Sequence, residues 1–133
     1  MELSTFEDKI IEIDEAIIRL RKDGIIHITF KDQTELDTTL QDRLIKIYIE
    51  LAGKNKRLFL FTAFSDVSIT KEAREHAIEL ESIYPALATA IVADNLAYKL
   101  IANFYLKINR PKTPYKIFKT IEEAEEWLKT FMQ

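Results

Sequence analysis

The sequence predicts one α/β domain over residues 1–133, with a mostly parallel central sheet, an N-terminal β-hairpin at its edge and about four helices. Two alternating apolar segments around an Asp-Gly pair predict the hairpin. The four consecutive large apolar residues from Leu58 to Phe61 predict an interior strand that is covered on both faces. Beyond the hairpin, helical and strand patterns alternate, and this order favours parallel strands joined by right-handed crossovers.

The hairpin is predicted from residues 16–21 and 25–30, which alternate on either side of Asp23-Gly24. Its expected buried face carries Ile26, Ile28 and Phe30, and His27 lies on the opposite face. Residues 1–14 fit either a short helix or a strand, so the pattern leaves their structure open.

Two amphipathic helices flank the interior strand in the sequence. Asp37 is placed to cap the first helix, which repeats apolar residues at helical spacing and ends at Gly53. Thr70 is placed to open the second, which runs to about Ser82. The expected inward residues of the second helix are Ala73, Ala77, Ile78 and Leu80.

The last third of the chain adds two strands and two helices. Residues 86–93 are small and uncharged, and they predict a second interior strand. Asp94 or Asn95 is placed to cap a helix through Lys107. Tyr115 to Phe118 predict a short strand, and the capping box from Thr120 to Glu123 opens a final helix.

Composition excludes several classes of protein. The net charge of −3 gives no basic field for a phosphate backbone, so we expect no nucleic-acid partner. No apolar run approaches the roughly 20 residues of a membrane-spanning helix, and the acidic start is unlike a signal peptide. These observations predict a cytoplasmic protein without a transmembrane segment.

The sequence holds no recognisable metal or cofactor motif. The chain has no cysteine, and its two histidines, His27 and His76, do not have a metal-binding spacing. Gly24 and Gly53 are the only glycines, which leaves no Walker motif and no Gly-x-Ser-x-Gly nucleophile motif. We therefore expect no metal, no cofactor and no enzymatic activity.

Several segments resemble one group of bacterial proteins. They are Ser68-Ile69-Thr70-Lys71-Glu72-Ala73-Arg74, residues 103–112 with a proline turn, residues 114–118, and residues 122–128 in the last helix. This pattern resembles uncharacterised STAS-like proteins, whose SpoIIAA-like fold is shared by anti-sigma-factor antagonists and by STAS/SEC14-related domains. The likeness covers most of the chain from Ile17 onward.

The resemblance also implies where a working site would lie. Family members carry a serine or threonine, phosphorylated by a partner kinase, at the start of the central helix. The matching segment of this chain is a candidate docking and phosphorylation loop that holds Ser65, Asp66, Ser68 and Thr70. The glycine and paired hydroxyl residues of the family pattern are absent. The alternative is that Thr70 simply caps the helix.

A second polar pair, Asp94 and Asn95, ends the neighbouring predicted strand and would lie at the same edge of the sheet if the strand order follows the family. These two residues are either ligand contacts or helix caps. Tyr98, Phe104 and Tyr105 cannot share one face of the following helix, so a homodimer contact through this helix or the hairpin edge is a further hypothesis.

The sequence leaves two functions open. The first is a non-enzymatic regulatory module that binds a protein partner, as the resemblance to anti-sigma-factor antagonists implies. The second is a carrier or sensor of a small apolar ligand, such as a lipid, as the SEC14-related likeness implies. A core rich in Phe and Ile around a strand of small residues could leave a cavity, and this feature favours the second function.

Overall fold

The computed structural model describes residues 8–63, 66–93 and 112–132. Their strands are β1 (Lys9–Glu12), β2 (Ala16–Leu20), β3 (Ile25–Phe30), β4 (Glu35–Leu36), β5 (Arg57–Ala63), β6 (Ser68–Ile69), β7 (Ala86–Val92) and β8 (Tyr115–Phe118). The helices of this part of the chain are α1 (Thr38–Ala52), α2 (Lys71–Leu80) and α3 (Ile121–Lys129). The fourth predicted helix, which ends at Lys107, lies outside the described residues.

Six of the described strands form one mixed sheet in the order β1-β2-β3-β5-β7-β8. The pairs β1–β2 and β2–β3 are antiparallel, whereas β3–β5, β5–β7 and β7–β8 are parallel. The apolar run from Leu58 to Phe61 lies in β5, which has a parallel neighbour on each side. The structure therefore confirms the α/β fold and the interior position of this strand.

The segment that the sequence left open is a strand. β1 pairs with β2 and forms the outer edge of the sheet, so the predicted hairpin of β2 and β3 has one more antiparallel strand outside it. Most of β1 is exposed, and Ile10 shows 57% of its surface. Four residues on a mainly solvated edge are too few to display the alternation that identifies a strand.

Each side of the sheet has its own apolar core. We call the first side the α1 face, because its strand residues pack with α1; they include Ile26, Ile28, Phe30, Phe59 and Ile91. We call the other side the α3 face, because α3 covers part of it with Ala124 and Leu128. The strand residues of the α3 face are Ile25, Leu58, Leu60, Ala88 and Ala90.

The three described helices begin at the predicted caps. The side chains of Asp37, Thr70 and Thr120 each accept a hydrogen bond from the backbone N–H three residues later, at 2.9, 3.0 and 3.2 Å. One detail of α2 differs from the prediction, because Ile78 is 53% exposed. The prediction was wrong there because α2 packs along a narrow strip through Ala73, and the helical spacing alone made that strip too wide.

Candidate functional site

The described part of the candidate loop lies beyond the carboxyl end of β5, at the edge of the sheet where open α/β folds bind ligands. Asp66 and Ser68 are exposed, and Thr70 is half-buried at the start of α2. Asp66 has a φ of 52°, a left-handed conformation that Asp and Asn tolerate better than most residues. The structure thus brings Asp66, Ser68 and Thr70 together on one short segment. Ser65, Asp94 and Asn95 lie outside the described residues.

The backbone of this segment is held in place by a small second sheet. β6 pairs in parallel with β4, the two-residue strand immediately before α1. The Ser68 N–H donates to Thr34 O and the Thr70 N–H donates to Leu36 O, both at 3.0 Å. The starts of α1 and α2 are therefore joined by main-chain hydrogen bonds. No local pattern predicts this pairing, because two-residue strands are too short to show a period.

A pocket of about 180 Å³ lies on the α1 face, between the sheet, α1 and α2. The strands contribute Phe30, Phe61, Thr89, Ile91 and Tyr115 to its lining. The helices contribute Gln41, Leu44, Ile45, Tyr48, Ala73, Arg74, Ala77 and Leu80, and Glu81 follows α2 directly. Val67 and Ile69, which alternate with the polar residues of the candidate loop, line it as well. The outer side of the loop is therefore polar and its inner side is a wall of the pocket.

Aromatic rings form much of this wall. Tyr48 meets Phe61 edge to face, with ring centroids 6.3 Å apart and an interplanar angle of 76°. Phe61 stacks on Phe30 at 6.2 Å, and Tyr84, which also lines the pocket, lies 6.2 Å from Tyr48. These are the separations at which aromatic pairs attract one another. The rings therefore hold each other in place while part of their surface borders the pocket.

Few polar atoms interrupt the apolar lining. Thr89 is 2% exposed, and its hydroxyl contacts the Tyr84 hydroxyl at 3.3 Å. Gln41 Nε2 donates to Ala73 O at 2.9 Å, and this bond ties α1 to the first turn of α2. Arg74 Nη1 donates to Ile69 O at 3.0 Å, and Glu81 Oε2 accepts from the Lys112 N–H at 2.6 Å. The two charged side chains of the lining are thus engaged by backbone groups.

A histidine provides a second link between the two helices. His76 on α2 contacts Asp42 Oδ1 on α1 at 2.8 Å through Nε2, and Glu79 Oε1 at 2.9 Å through Nδ1. The hydrogen bonds to Glu79 and Asp42 raise the pKa of His76 above its ordinary value. Acidification therefore strengthens this link.

The other histidine belongs to a polar cluster on the α3 face. His27 Nε2 contacts the Thr62 hydroxyl at 2.9 Å, and Thr62 in turn contacts the Thr29 hydroxyl at 3.0 Å. Desolvation, followed by the positive charges of Arg19 and Arg21, lowers the pKa of His27 to about 4. The ring is therefore neutral at pH 7 and forms a structural hydrogen bond. Its position opposite Ile26 and Ile28 matches the prediction from alternation.

Neither a cluster of metal ligands nor a long apolar helix occurs in the described residues. No group of three or more His, Asp or Glu side chains in residues 8–63, 66–93 and 112–132 is placed to hold a metal ion. In the same ranges, no helix combines the length and the apolar character needed to cross a bilayer.

Comparison with known proteins identifies the family. A family model described as a domain of unknown function, DUF7793, matches residues 18–132. The chain belongs to the DUF7793 family. No curated protein is significantly similar in sequence to this DUF7793 protein.

One solved structure supports the fold of this DUF7793 domain. The chain is similar to an uncharacterised protein of the DUF3478 family with a SpoIIAA-like fold from Shewanella loihica PV-4, at a TM-score of 0.53 and 14% sequence identity over 92% of each chain. A protein of unknown function from Arthrobacter sp. FB24 matches at a TM-score of 0.29 and 22% identity, over 89% of this chain and 95% of that one. The first similarity establishes the SpoIIAA-like fold that the sequence predicts.

Proposed function

We propose that this DUF7793 protein is a non-enzymatic binding module that holds a small, mainly apolar molecule in the pocket between α1, α2 and the sheet. One observation carries the proposal: a pocket of about 180 Å³, lined largely by aromatic and aliphatic side chains, lies in an otherwise well-buried core. Protein interiors have few voids larger than a water molecule, and small-molecule sites are typically concave and mostly apolar. A pocket of this kind is therefore better explained by an occupant than by loose packing.

Native mass spectrometry of freshly purified full-length protein tests this function. The wild-type protein should retain an additional mass that disappears on denaturation. Ala77→Phe places a ring in the pocket lining and should abolish the additional mass. Leu87→Phe is the matched control, because Leu87 is 47% exposed and does not line the pocket.

Two results would count against the function. One is an apo mass for wild-type protein together with no thermal stabilisation by any small apolar compound. The other is an additional mass that survives Ala77→Phe in a variant whose circular dichroism and melting transition show a folded protein.

A second candidate function is regulatory protein binding through the segment Asp66–Arg74, of the kind that the likeness to anti-sigma-factor antagonists implies. The observation that favours it is the combination of exposed polar side chains with a backbone fixed by the β4–β6 pairing. A surface with a fixed backbone loses little conformational entropy when a partner binds. Phosphorylation of Ser68 would add up to two negative charges beside the N-terminus of α2, where the helix dipole favours them.

A pull-down from the native cell tests this second function. The variant Asp66→Asn/Ser68→Ala/Thr70→Asn removes the charge and both hydroxyls. Asn nevertheless tolerates the left-handed conformation at 66 and can still cap α2 at 70. The control replaces Lys54, Asn55 and Lys56 by alanine, because these exposed residues lie before β5, at the opposite edge of the sheet. A partner that is lost only from the first variant supports the docking surface, and identical partner sets oppose it.

A further inference from the structure

The volume of the pocket limits the size of its occupant. An engineered apolar cavity of about 150 Å³ in another protein holds a benzene molecule, and sites for drug-sized ligands begin at about 300 Å³. At about 180 Å³, the pocket has room for a molecule of about 7 to 10 non-hydrogen atoms. A fatty acyl chain or a whole phospholipid would have to extend out of the pocket, which is partly open to solvent.

The shape and chemistry of the walls favour a flat ring. Phe30, Tyr48, Phe61 and Tyr84 all border the pocket, and an aromatic guest gains edge-to-face or offset contacts with such rings. The charged groups of the lining, Arg74 and Glu81, already contact backbone atoms. The lining therefore gives no reason to expect a charged occupant.

Two polar side chains of the wall have hydrogen-bonding capacity to spare: Gln41 Oε1 is buried without a partner in the described part of the chain, and the Thr89 hydroxyl makes only one long contact there. Thr89 lies in the uncharged strand β7, and its side chain is on the α1 face, whereas its neighbours Ala88 and Ala90 are on the α3 face. Only 2% of its surface is exposed, so it is 98% buried. Among the described residues its hydroxyl contacts only the Tyr84 hydroxyl, at 3.3 Å, whereas strong O–H···O bonds measure about 2.7–2.8 Å. The other two buried threonines, Thr34 and Thr62, both make bonds of 3.0 Å or less. Thr89 is thus a buried hydroxyl on the pocket wall with hydrogen-bonding capacity in reserve.

We infer that the pocket selects a neutral, one-ring aromatic molecule with a single hydrogen-bonding group such as a hydroxyl. Thr89 orients this molecule by forming a hydrogen bond with that group. The inference rests on the proposed ligand-binding function and narrows it to one class of ligand. The ring lies against the aromatic wall, and its polar group exchanges a hydrogen bond with Thr89 Oγ1. The few precisely placed polar groups of an apolar site typically determine how its ligand is oriented.

Titrations of the full chain with three probes test the inference. Toluene and p-cresol differ by one hydroxyl, and oleate represents a long-chain lipid; binding is followed by calorimetry and by amide chemical shifts. Wild-type protein should bind p-cresol about three- to tenfold more tightly than toluene, the gain expected from one neutral hydrogen bond. Thr89→Val keeps the shape of the side chain and should remove the preference, so that p-cresol binds no more tightly than toluene. Thr89→Ser keeps the hydroxyl and should preserve the preference.

The outcomes separate the inference from the function on which it rests. Binding of oleate but of neither ring compound would overturn the size limit and leave a ligand-binding function standing. Equal affinities for toluene and p-cresol in wild-type protein, or a preference that survives Thr89→Val, would overturn the role of Thr89. Absence of binding by all three probes would overturn the inference, and together with an apo mass in native mass spectrometry it would overturn the proposed function too.

Discussion

On the α3 face, Ala88 and Ala90 present so little side chain that α3 lies close against the sheet, and Ala124 and Leu128 are completely buried there. On the α1 face, the strands and α1 carry large aromatic rings, and the layer between them and α2 contains the pocket. Small residues close a helix onto a sheet, whereas rigid rings that pack against one another leave gaps that other rings of fixed shape cannot fill. The contrast indicates that the α3 face is the more closely packed of the two and that the α1 face holds the pocket for which we propose a ligand.

The sharpest test of this contrast truncates one leucine on each face. Leu128→Ala should lower the free energy of unfolding by about 3–5 kcal/mol, because it removes buried methyl groups and leaves a closed cavity. Leu44→Ala borders the pocket and should cost about 2 kcal/mol, since it extends a space that already exists. Urea denaturation of both variants measures the difference. Equal losses would mean that the two faces are equally close-packed.

The next test adds the same side chain to each face. Ala90→Leu should destabilise the protein by about 2 kcal/mol, because Ala90 is fully buried beneath α3 and the larger side chain has no space. Ala77→Leu places the added atoms in the pocket lining and keeps a good helix former, so it should change the stability by no more than about 1 kcal/mol. A large loss of stability for Ala77→Leu, measured by thermal or urea unfolding, would show that the pocket has no room for the added atoms.

The histidine of the α3 face should make the protein acid-sensitive. Its folded-state pKa of about 4 lies below the ordinary value of 6.5, so the stability it confers is complete above pH 6.5 and is lost as the pH falls towards 4. The shift corresponds to about 3 kcal/mol, and the partial exposure of the ring reduces the expected loss to about 1–2 kcal/mol. His27→Gln should remove this part of the pH dependence. Parallel wild-type and mutant profiles between pH 4 and 7 would contradict the assignment.

His76, which links α2 to α1, should make the stability depend on pH in the opposite direction. This is the smallest of the four predicted effects on stability. The pKa of His76 is raised, so its contribution is complete below the unfolded-state value of 6.5 and is lost as the pH rises through the folded-state pKa. Because His76 links two exposed carboxylates, we expect only a slight shift in the unfolding midpoint between pH 6 and 8. Asp42→Asn should reduce the shift, and an unchanged profile would show that the link contributes nothing to stability.

The elements that the sequence predicts well are those specified by neighbouring residues. The caps at Asp37, Thr70 and Thr120 and the apolar run of β5 are local signals, and each has the predicted structure. The β4–β6 pairing joins segments that are far apart in the chain, so no local sequence period predicts it. The outward position of Ile78 depends on which neighbours α2 finds, and helical spacing alone does not specify them.

The candidate site could be predicted only in part. The sequence places Asp66, Ser68 and Thr70 on one polar segment, and in the structure Asp66 and Ser68 are exposed there while Thr70 caps α2. The Phe-rich and Ile-rich composition of the sequence also suggests a cavity. It does not predict the volume of that cavity, which depends on how rings from separate elements pack against one another. Nothing in the sequence distinguishes Thr89 from the other residues of its uncharged strand. Its proposed role depends on its 3.3 Å contact with Tyr84, which only three-dimensional packing creates.

The β4–β6 pairing also affects how the pocket could admit a guest. β4 runs directly into Asp37, the cap of α1, and β6 runs directly into Thr70, the cap of α2, so both helices begin beside the same pair of strands. If the two helices separate to admit a guest, we expect the displacement to be largest at their far ends, near Leu51 and Leu80. Such a motion would let a small molecule enter without disturbing the polar segment where α2 begins.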